Sequence, residues 1–286
     1  MQLAKRGYEI TLAEASDEPG GRVRMESQLL GLGAWKRVVD HRLYDLNQRA
    51  NVQLFLQSRL TLPDVLELGI DNVFIATGAK WRRDGVGRSA RQPIPISNEM
   101  RILTPDDIMA GNKPAKGPVL IYDDDQIYLA GVLADHLSDA GHDVVFATPA
   151  TMVSPWTEHT LEQARIQKTL IERGIALRLG QKLTQVWADS VELSCSYTGQ
   201  TQQQSCATVI MVTERHRQSG LYDSLTSHRA AHPDSLRNLA LIGDAAAPGL
   251  IADAVYSGHM AARDFEKDTK LIEQDLFRRE VISLNN

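Results

Sequence analysis

Short apolar runs alternate with amphipathic stretches along the whole chain. Runs at 8–14, 52–56 and 72–76 have the length and β-branched content of strands, and a helical pattern covers 34–50. The first residues read as the end of a helix: Leu3 and Ala4 are apolar, Lys5 and Arg6 suit a helix C-terminus, and Gly7 suits the position after it. Thr104 followed by Pro105 predicts an N-capped short helix, and 111–118 has the composition of a linker. Beyond it come a strand at 119–122, a helix at 126–140 ended by Gly141, a strand at 143–147, a helix at 158–173 ended by Gly174, and a strand at 175–178. Antiparallel strands are predicted at 182–188 and 190–196, a polar turn at 198–204 and a strand at 207–212. The last apolar strand, 239–242, precedes Gly243-Asp244 and a helix at about 249–266. Strands alternating with helices predict doubly wound α/β units. Because the last strand needs a sheet to join, the first unit is its natural host and the second unit reads as an insertion.

Composition narrows the class without naming it. The chain has 286 residues, is 43% hydrophobic and 23% charged, and carries a net charge of -5 with mean hydropathy -0.26. Such a balance speaks against a nucleic-acid footprint of clustered Lys and Arg. No apolar run approaches the roughly 18 residues of a membrane span. Two cysteines, Cys195 and Cys206, cannot build a disulfide framework or an iron–sulfur site within this chain, so a reducing, cytoplasmic setting with free thiols is expected.

Four local motifs carry chemistry. Helix, Gly7, strand and terminal Glu14 match the second half of a dinucleotide-binding βαβ unit, where such a carboxylate accepts hydrogen bonds from an adenosine ribose. The strand and G-x-G-x-x-G turn that should precede it are absent, so the sequence reads as a fragment of a longer protein. A surface helix before an edge strand ending on a solvated Glu is the alternative. Gly20 and Gly21 let the backbone approach a ligand, and Arg22 can meet a phosphate; a plain Gly-Gly turn is the bland reading. Ala76, Thr77 and Gly78 end a strand in small residues that leave room for a nucleotide. Gly243 and Asp244 point a carboxylate at the end of a strand, beside a helix opening near Ile251 whose N-terminus favours an anion. Together these elements follow the order and spacing of flavoproteins with two dinucleotide domains. The predicted fold is therefore α/β with two Rossmann-like doubly wound units, residues 1–112 and 217–286 forming the ADP/FAD-binding unit and 113–216 an inserted NAD(P)-like unit.

Longer strings carry a resemblance. Residues 79–85 (AKWRRDG), 120–125 (LIYDDD), 153–157 (VSPWT), 160–163 (TLEQ) and 251–259 (IADAVYSGH) resemble the C-terminal part of trimethylamine and dimethylamine dehydrogenases, and of related N-methyl-amine demethylases and histamine dehydrogenase. The resemblance covers nearly the whole chain. It implies an N-terminal FMN-bearing barrel and a 4Fe-4S cluster outside this chain, with ADP or FAD bound within it. It places Glu14 at the adenosine ribose, Gly20 to Arg22 at the pyrophosphate, and Asp244 on the ribose or ribityl side. No residue here is expected to be catalytic or to bind a metal. The implied partners are the barrel domain, an electron-transfer flavoprotein acceptor and further copies of the full-length protein, with no nucleic acid and no membrane.

The second unit departs from a dinucleotide site. After the strand at 119–122, the G-x-G-x-x-G frame falls on Asp123, Asp125 and Tyr128. Three consecutive acids stabilise a helix N-terminus but oppose a pyrophosphate, at roughly 4 kcal/mol per charge pair at 4 Å near a protein surface. A Mg²⁺ site at Asp123 to Asp125 is the competing reading, and a capped helix the simpler one. The eight histidines are read as packed or solvated, without an H-x-x-x-H pattern, and the Arg82, Arg83, Arg88 and Arg91 loop as a solvent-facing basic segment. Three functions remain open: part of an amine dehydrogenase, part of an NAD(P)H-driven dienoyl-CoA-reductase-like flavoenzyme, or a non-catalytic nucleotide-binding scaffold. Bound FAD, bound ADP or neither discriminates them.

Overall fold

A computed structural model describes residues 1–267; positions 268–286, the end of the segment predicted as 217–286, lie outside the described residues. The chain divides into two units, one built from 1–17, 42–78 and the chain from Gln218 onward, the other from 18–41 and 79–217.

The second unit holds the extended sheet. Arg101–Leu103, Thr208–Val212, Val119–Asp123, Val144–Thr148 and Ala176–Leu179 lie side by side in that order, all parallel. Strands buried on both faces lose the usual alternation and read as continuous apolar runs, which is why Val119 to Tyr122 and Val209 to Val212 are buried throughout. Successive side chains still point to opposite faces. Val119, Ile121, Phe146, Ile210 and Val212 face the helices Leu129–Asp139 and Gln163–Glu172, through Leu133, Leu137, Ile166 and Leu170. Leu120, Tyr122, Val145, Val209 and Met211 face an antiparallel sheet of Gln181–Val186, Ser190–Cys195 and Thr201–Ser205, through Leu183, Val186, Val191 and Leu193. A short antiparallel ladder, Ala79–Trp81 with Arg215–Arg217, flanks the same unit.

The first unit is built on parallel pairs. Ile10–Ala13 pairs with Val52–Phe55, and Asn238–Leu241 with Asn72–Ile75. Ile75 and Leu241 pack with Val65, Leu225 and Leu236 beneath helices Leu62–Glu67 and Gly220–Ala231. Arg6 donates to the Ala262 and Phe265 carbonyls, and Tyr8 and Phe74 both meet the Phe265 ring edge-on, which ties the first residues to the helix Ile251–Asp264.

The expectation of two Rossmann-like doubly wound units, the second inserted in the first, is corrected. The five-stranded sheet carries helices on one face and a three-stranded antiparallel sheet on the other, so it is not doubly wound. Among the described residues, the first unit forms two separate two-stranded ladders and no continuous wound sheet. Individual elements fared better. The first helix, the Thr104 cap with its reciprocal Asp107 bond, and the pairing of the last strand within the first unit are all present.

Candidate functional site

Open α/β sheets bind ligands beyond the carboxyl ends of their parallel strands. In the second unit that end is filled by side chains. The chain leaves Val119–Asp123 with the amides of Asp124 and Asp125 both donating to the Val212 carbonyl, at 2.8 and 3.0 Å. Asp123 is fully buried; its Oδ1 accepts from the Gln126 amide at 2.7 Å and closes a turn in which Gln126 has φ 62°. The buried Asp124 turns away from the helix that follows. It accepts from the Ser89 amide at 2.8 Å and the Ser89 hydroxyl at 2.6 Å, and a Cβ on Gly87 would lie 2.4 Å from its Oδ2. A carboxylate held by a glycine-bearing loop thus occupies an anion cradle made by this protein itself.

Tyr128 takes up the rest of the space. Its hydroxyl donates to Glu26 Oε2 at 2.6 Å, and its ring meets Trp35 edge-on with centroids 5.0 Å apart. Glu26 is fully buried, and Arg22 pairs with it one helical turn away, Nε to Oε1 at 3.2 Å. The Arg22 expected at a pyrophosphate is therefore engaged by Glu26. Gly20 has its own structural reason: at φ 121°, a Cβ there would lie 2.8 Å from a Val39 methyl. Gly21 opens the helix Gly21–Glu26.

The reading of the three acids as a helix N-terminal cluster is corrected. The first turn of Leu129–Asp139 holds no acid, because Asp123 closes its own turn and Asp124 holds the Ser89 loop. Among the described residues no group of three or more His, Cys, Asp or Glu is placed to share an ion.

Burial raises the carboxyls of all three acids, and for Asp125 to about 6, against the opposing pull of Arg88 and Arg22 and with Asp124 and Glu26 adding to the rise. A raised carboxyl pKa means the native state holds the proton more tightly than the unfolded chain does. The contribution of Asp125 is then fully present below about pH 3.8 and is lost as pH rises through about 6. Asp125→Asn is expected to match the parent near pH 4 and to exceed it by about 3 kcal/mol at pH 8. Tryptophan-monitored urea midpoints at the two pH values measure this, and equal differences at both would contradict the assignment.

In the first unit, small residues gather at strand ends. The ladder with Leu241 opposite Ile75 brings Ala76, Thr77 and Gly78 beside Gly243 and Asp244. Gly78 (φ 77°) faces open space, and Thr77 donates to the Gln218 carbonyl. Gly243 (φ 60°) donates its amide to Ser257 Oγ at 2.9 Å, and Asp244 Oδ1 accepts from the Gly249 amide at 3.1 Å. Ile251 begins its helix, where Asp253 takes the Leu250 amide at 2.7 Å. Glu14 follows the end of Ile10–Ala13, half-buried, with Oε1 accepting from the Ser16 amide at 2.8 Å. Its ladder is not hydrogen-bonded to the other. Glu14, Ala76, Thr77, Gly78, Gly243, Asp244 and Ile251 thus fall in one unit, and Gly20, Gly21 and Arg22 in the other.

One further expectation changes. His228 and His232 do stand four apart, their rings stacked with centroids 4.3 Å apart at the end of Gly220–Ala231. Cys195 and Cys206 are free thiols, as expected, and lie far apart. Ser190 opposes Ser205, and the Cys206 amide bonds Asp189, so the two lie at opposite ends of the ladder, roughly 20 Å apart. These two thiols cannot ligate one iron–sulfur cluster.

Among the described residues no helix is long and apolar enough to cross a membrane. Residues 103–210 match a family described as the OYE-like second alpha/beta domain, which overturns the reading of this region as an inserted dinucleotide-binding domain. The chain is 32% identical to dimethylamine dehydrogenase from Hyphomicrobium sp. (strain x), over 97% of its own length and 41% of that protein. It superposes on histamine dehydrogenase from Rhizobium sp. 4-9 with TM-score 0.94 and 44% identity, covering 100% of this chain and 44% of the other. A third similar structure is 6-hydroxypseudooxynicotine amine oxidase from Pseudomonas geniculata N1, with TM-score 0.89, 38% identity and coverages of 93% and 40%. The chain is homologous, along essentially its whole length, to amine dehydrogenase oxidoreductases, and spans about two fifths of the length of these relatives.

Proposed function

We propose that this chain is one part of a longer oxidoreductase acting on methylated or other small amines, and that the amine-oxidising centre lies outside it. The observation that carries the reading is similarity over the whole chain to proteins more than twice its length that are named for amine oxidation. FMN and a 4Fe-4S cluster belong, in this reading, to the remainder of the protein, consistent with two thiols that cannot share a cluster. An electron-accepting protein and self-association are attributes of the complete protein.

Within the chain, we assign ADP or FAD to the strand ends of the first unit. Space above Gly78 and the left-handed Gly243 allow a nucleotide to approach the backbone there. Glu14 and Asp244 are the acceptors for ribose or ribityl hydroxyls. A bound FAD would supply redox chemistry, whereas ADP would only brace the fold. The second unit, its ligand end filled by Asp123, Asp124, Asp125 and Tyr128, takes no pyridine nucleotide. Electrons therefore leave through a protein acceptor and do not enter from NAD(P)H. Nucleotide released by denaturing the full-length protein tests the assignment: ADP or FAD in about one-to-one amount is expected, and the absence of both would leave a scaffold.

A further inference from the structure

The second unit carries a cleft that the amine-oxidoreductase reading does not use. It is an open, shallow cleft of about 680 Å³ lined by Arg82, Arg83, Asp84, Ile94, Ile96 and His216, beside the ladder of Ala79–Trp81 with Arg215–Arg217. We propose that it binds an organic anion, a carboxylate or phosphate ester carried on an apolar body.

Three observations converge on that ligand. The walls are preformed. The Ile94 amide donates to the Asp84 carbonyl at 3.0 Å and pinches the intervening loop, while the Ser97 amide and the Pro95 carbonyl are both stitched to Val186 at 2.9 Å. A Cβ on Gly85 would meet Ile94 at 2.7 Å, so the loop closes tightly behind the apolar wall.

Both guanidinium groups are held in place before any ligand arrives. Arg82 is bidentate on Asp84, Nε at 3.0 Å and Nη2 at 2.5 Å, and Arg83 is fixed by Asp107 and by the Ile102 carbonyl at 3.0 Å. Orienting them in advance lowers the ordering cost of binding.

The cleft lining sets two guanidinium groups against one carboxylate, Asp84, with Glu214 close enough to act on Arg82. Each guanidinium has five N–H groups and uses only part of them on these partners. The Asp84 carboxylate is occupied by Arg82 and the Val86 amide, and Asp107 by Arg83 and Thr104. A ligand must therefore bring the acceptors. Ile94 and Ile96 supply an apolar face for its body, and the volume falls within the roughly 300–1,000 Å³ of small-ligand sites. Exposed Lys80, opposite His216 in the ladder, and the neighbouring Arg217 add positive charge at the rim.

Calorimetric titration of the full chain with phenyl phosphate and with inorganic phosphate tests the proposal. Phenyl phosphate is expected to saturate one site at least about tenfold tighter than inorganic phosphate, because only it uses the isoleucine wall. Arg83→Gln, at a largely exposed side chain, should weaken phenyl phosphate about tenfold while leaving the melting temperature unchanged. Equal affinity for both anions, no saturation, or phenyl phosphate binding that ignores Arg83→Gln would each overturn it. Since neither probe carries an adenine or an amine, failure here would leave the proposed function standing.

Discussion

Replacing Arg22 by methionine is expected to destabilise the second unit by about 3–5 kcal/mol, because it removes the cation paired with a fully buried Glu26. Glu26 is fully buried, so water cannot compensate, and the Tyr128 hydroxyl still donates to it. Removing both charged groups has a different sign of logic. Arg22→Met with Glu26→Leu takes the unpaired carboxyl away as well, so the double variant should recover most of the loss. All four tryptophans, Trp35, Trp81, Trp156 and Trp187, belong to the second unit, so their fluorescence reports its unfolding selectively. A double variant as unstable as Arg22→Met would show that the residues matter through packing and not as a pair.

Phe146→Ala should cost a similar amount, about 3–5 kcal/mol. Phe146 has no exposed surface and sits on an interior strand, hydrogen-bonded on both sides within the five-stranded sheet. Its neighbours belong to close-packed strands and helices, which limits collapse into the void. Phe146→Leu keeps most of the volume and should lose less than about 2 kcal/mol. A urea midpoint that falls without a change in slope identifies loss of stability, whereas a changed slope would point to a looser native or denatured state.

How much of this was legible in the sequence follows from how local each cause is. Buried strands such as 119–122 and 207–212 announce themselves because both faces are covered, and nearly every position there is apolar. Thr104 and Pro105 carry their own capping chemistry. Thr201–Ser205 was invisible, since its residues TQQQS form a polar edge whose strand character comes only from pairing with Ser190–Cys195. Strands of three residues, such as Ala79–Trp81, are too short to show a period.

The covering of the sheet's second face could not be read at all. Strand–helix alternation along 119–178 is the same whether the far face meets helices or an antiparallel sheet, and here it meets the sheet. At the ligand end, the frame of Asp123, Asp125 and Tyr128 marked the right place. Contacts such as Asp124 with Ser89 and Tyr128 with Glu26 span 35 and 102 positions, and no local pattern reveals them. Two signals were available and missed. Arg22 with Glu26 on one helix, and His228 with His232, the latter just past the end of another, stand four apart, the spacing at which side chains meet.

In the proposed function the second unit accepts no pyridine nucleotide, and electrons do not enter through it. Titrating the full-length protein with NADH and NADPH, and repeating this with Tyr128→Phe, tests it most directly. The expected result is no saturable binding and no reduction by either nucleotide, in the parent and the variant alike. Measurable NADH or NADPH affinity in the parent, changed by altering Tyr128, would contradict the claim.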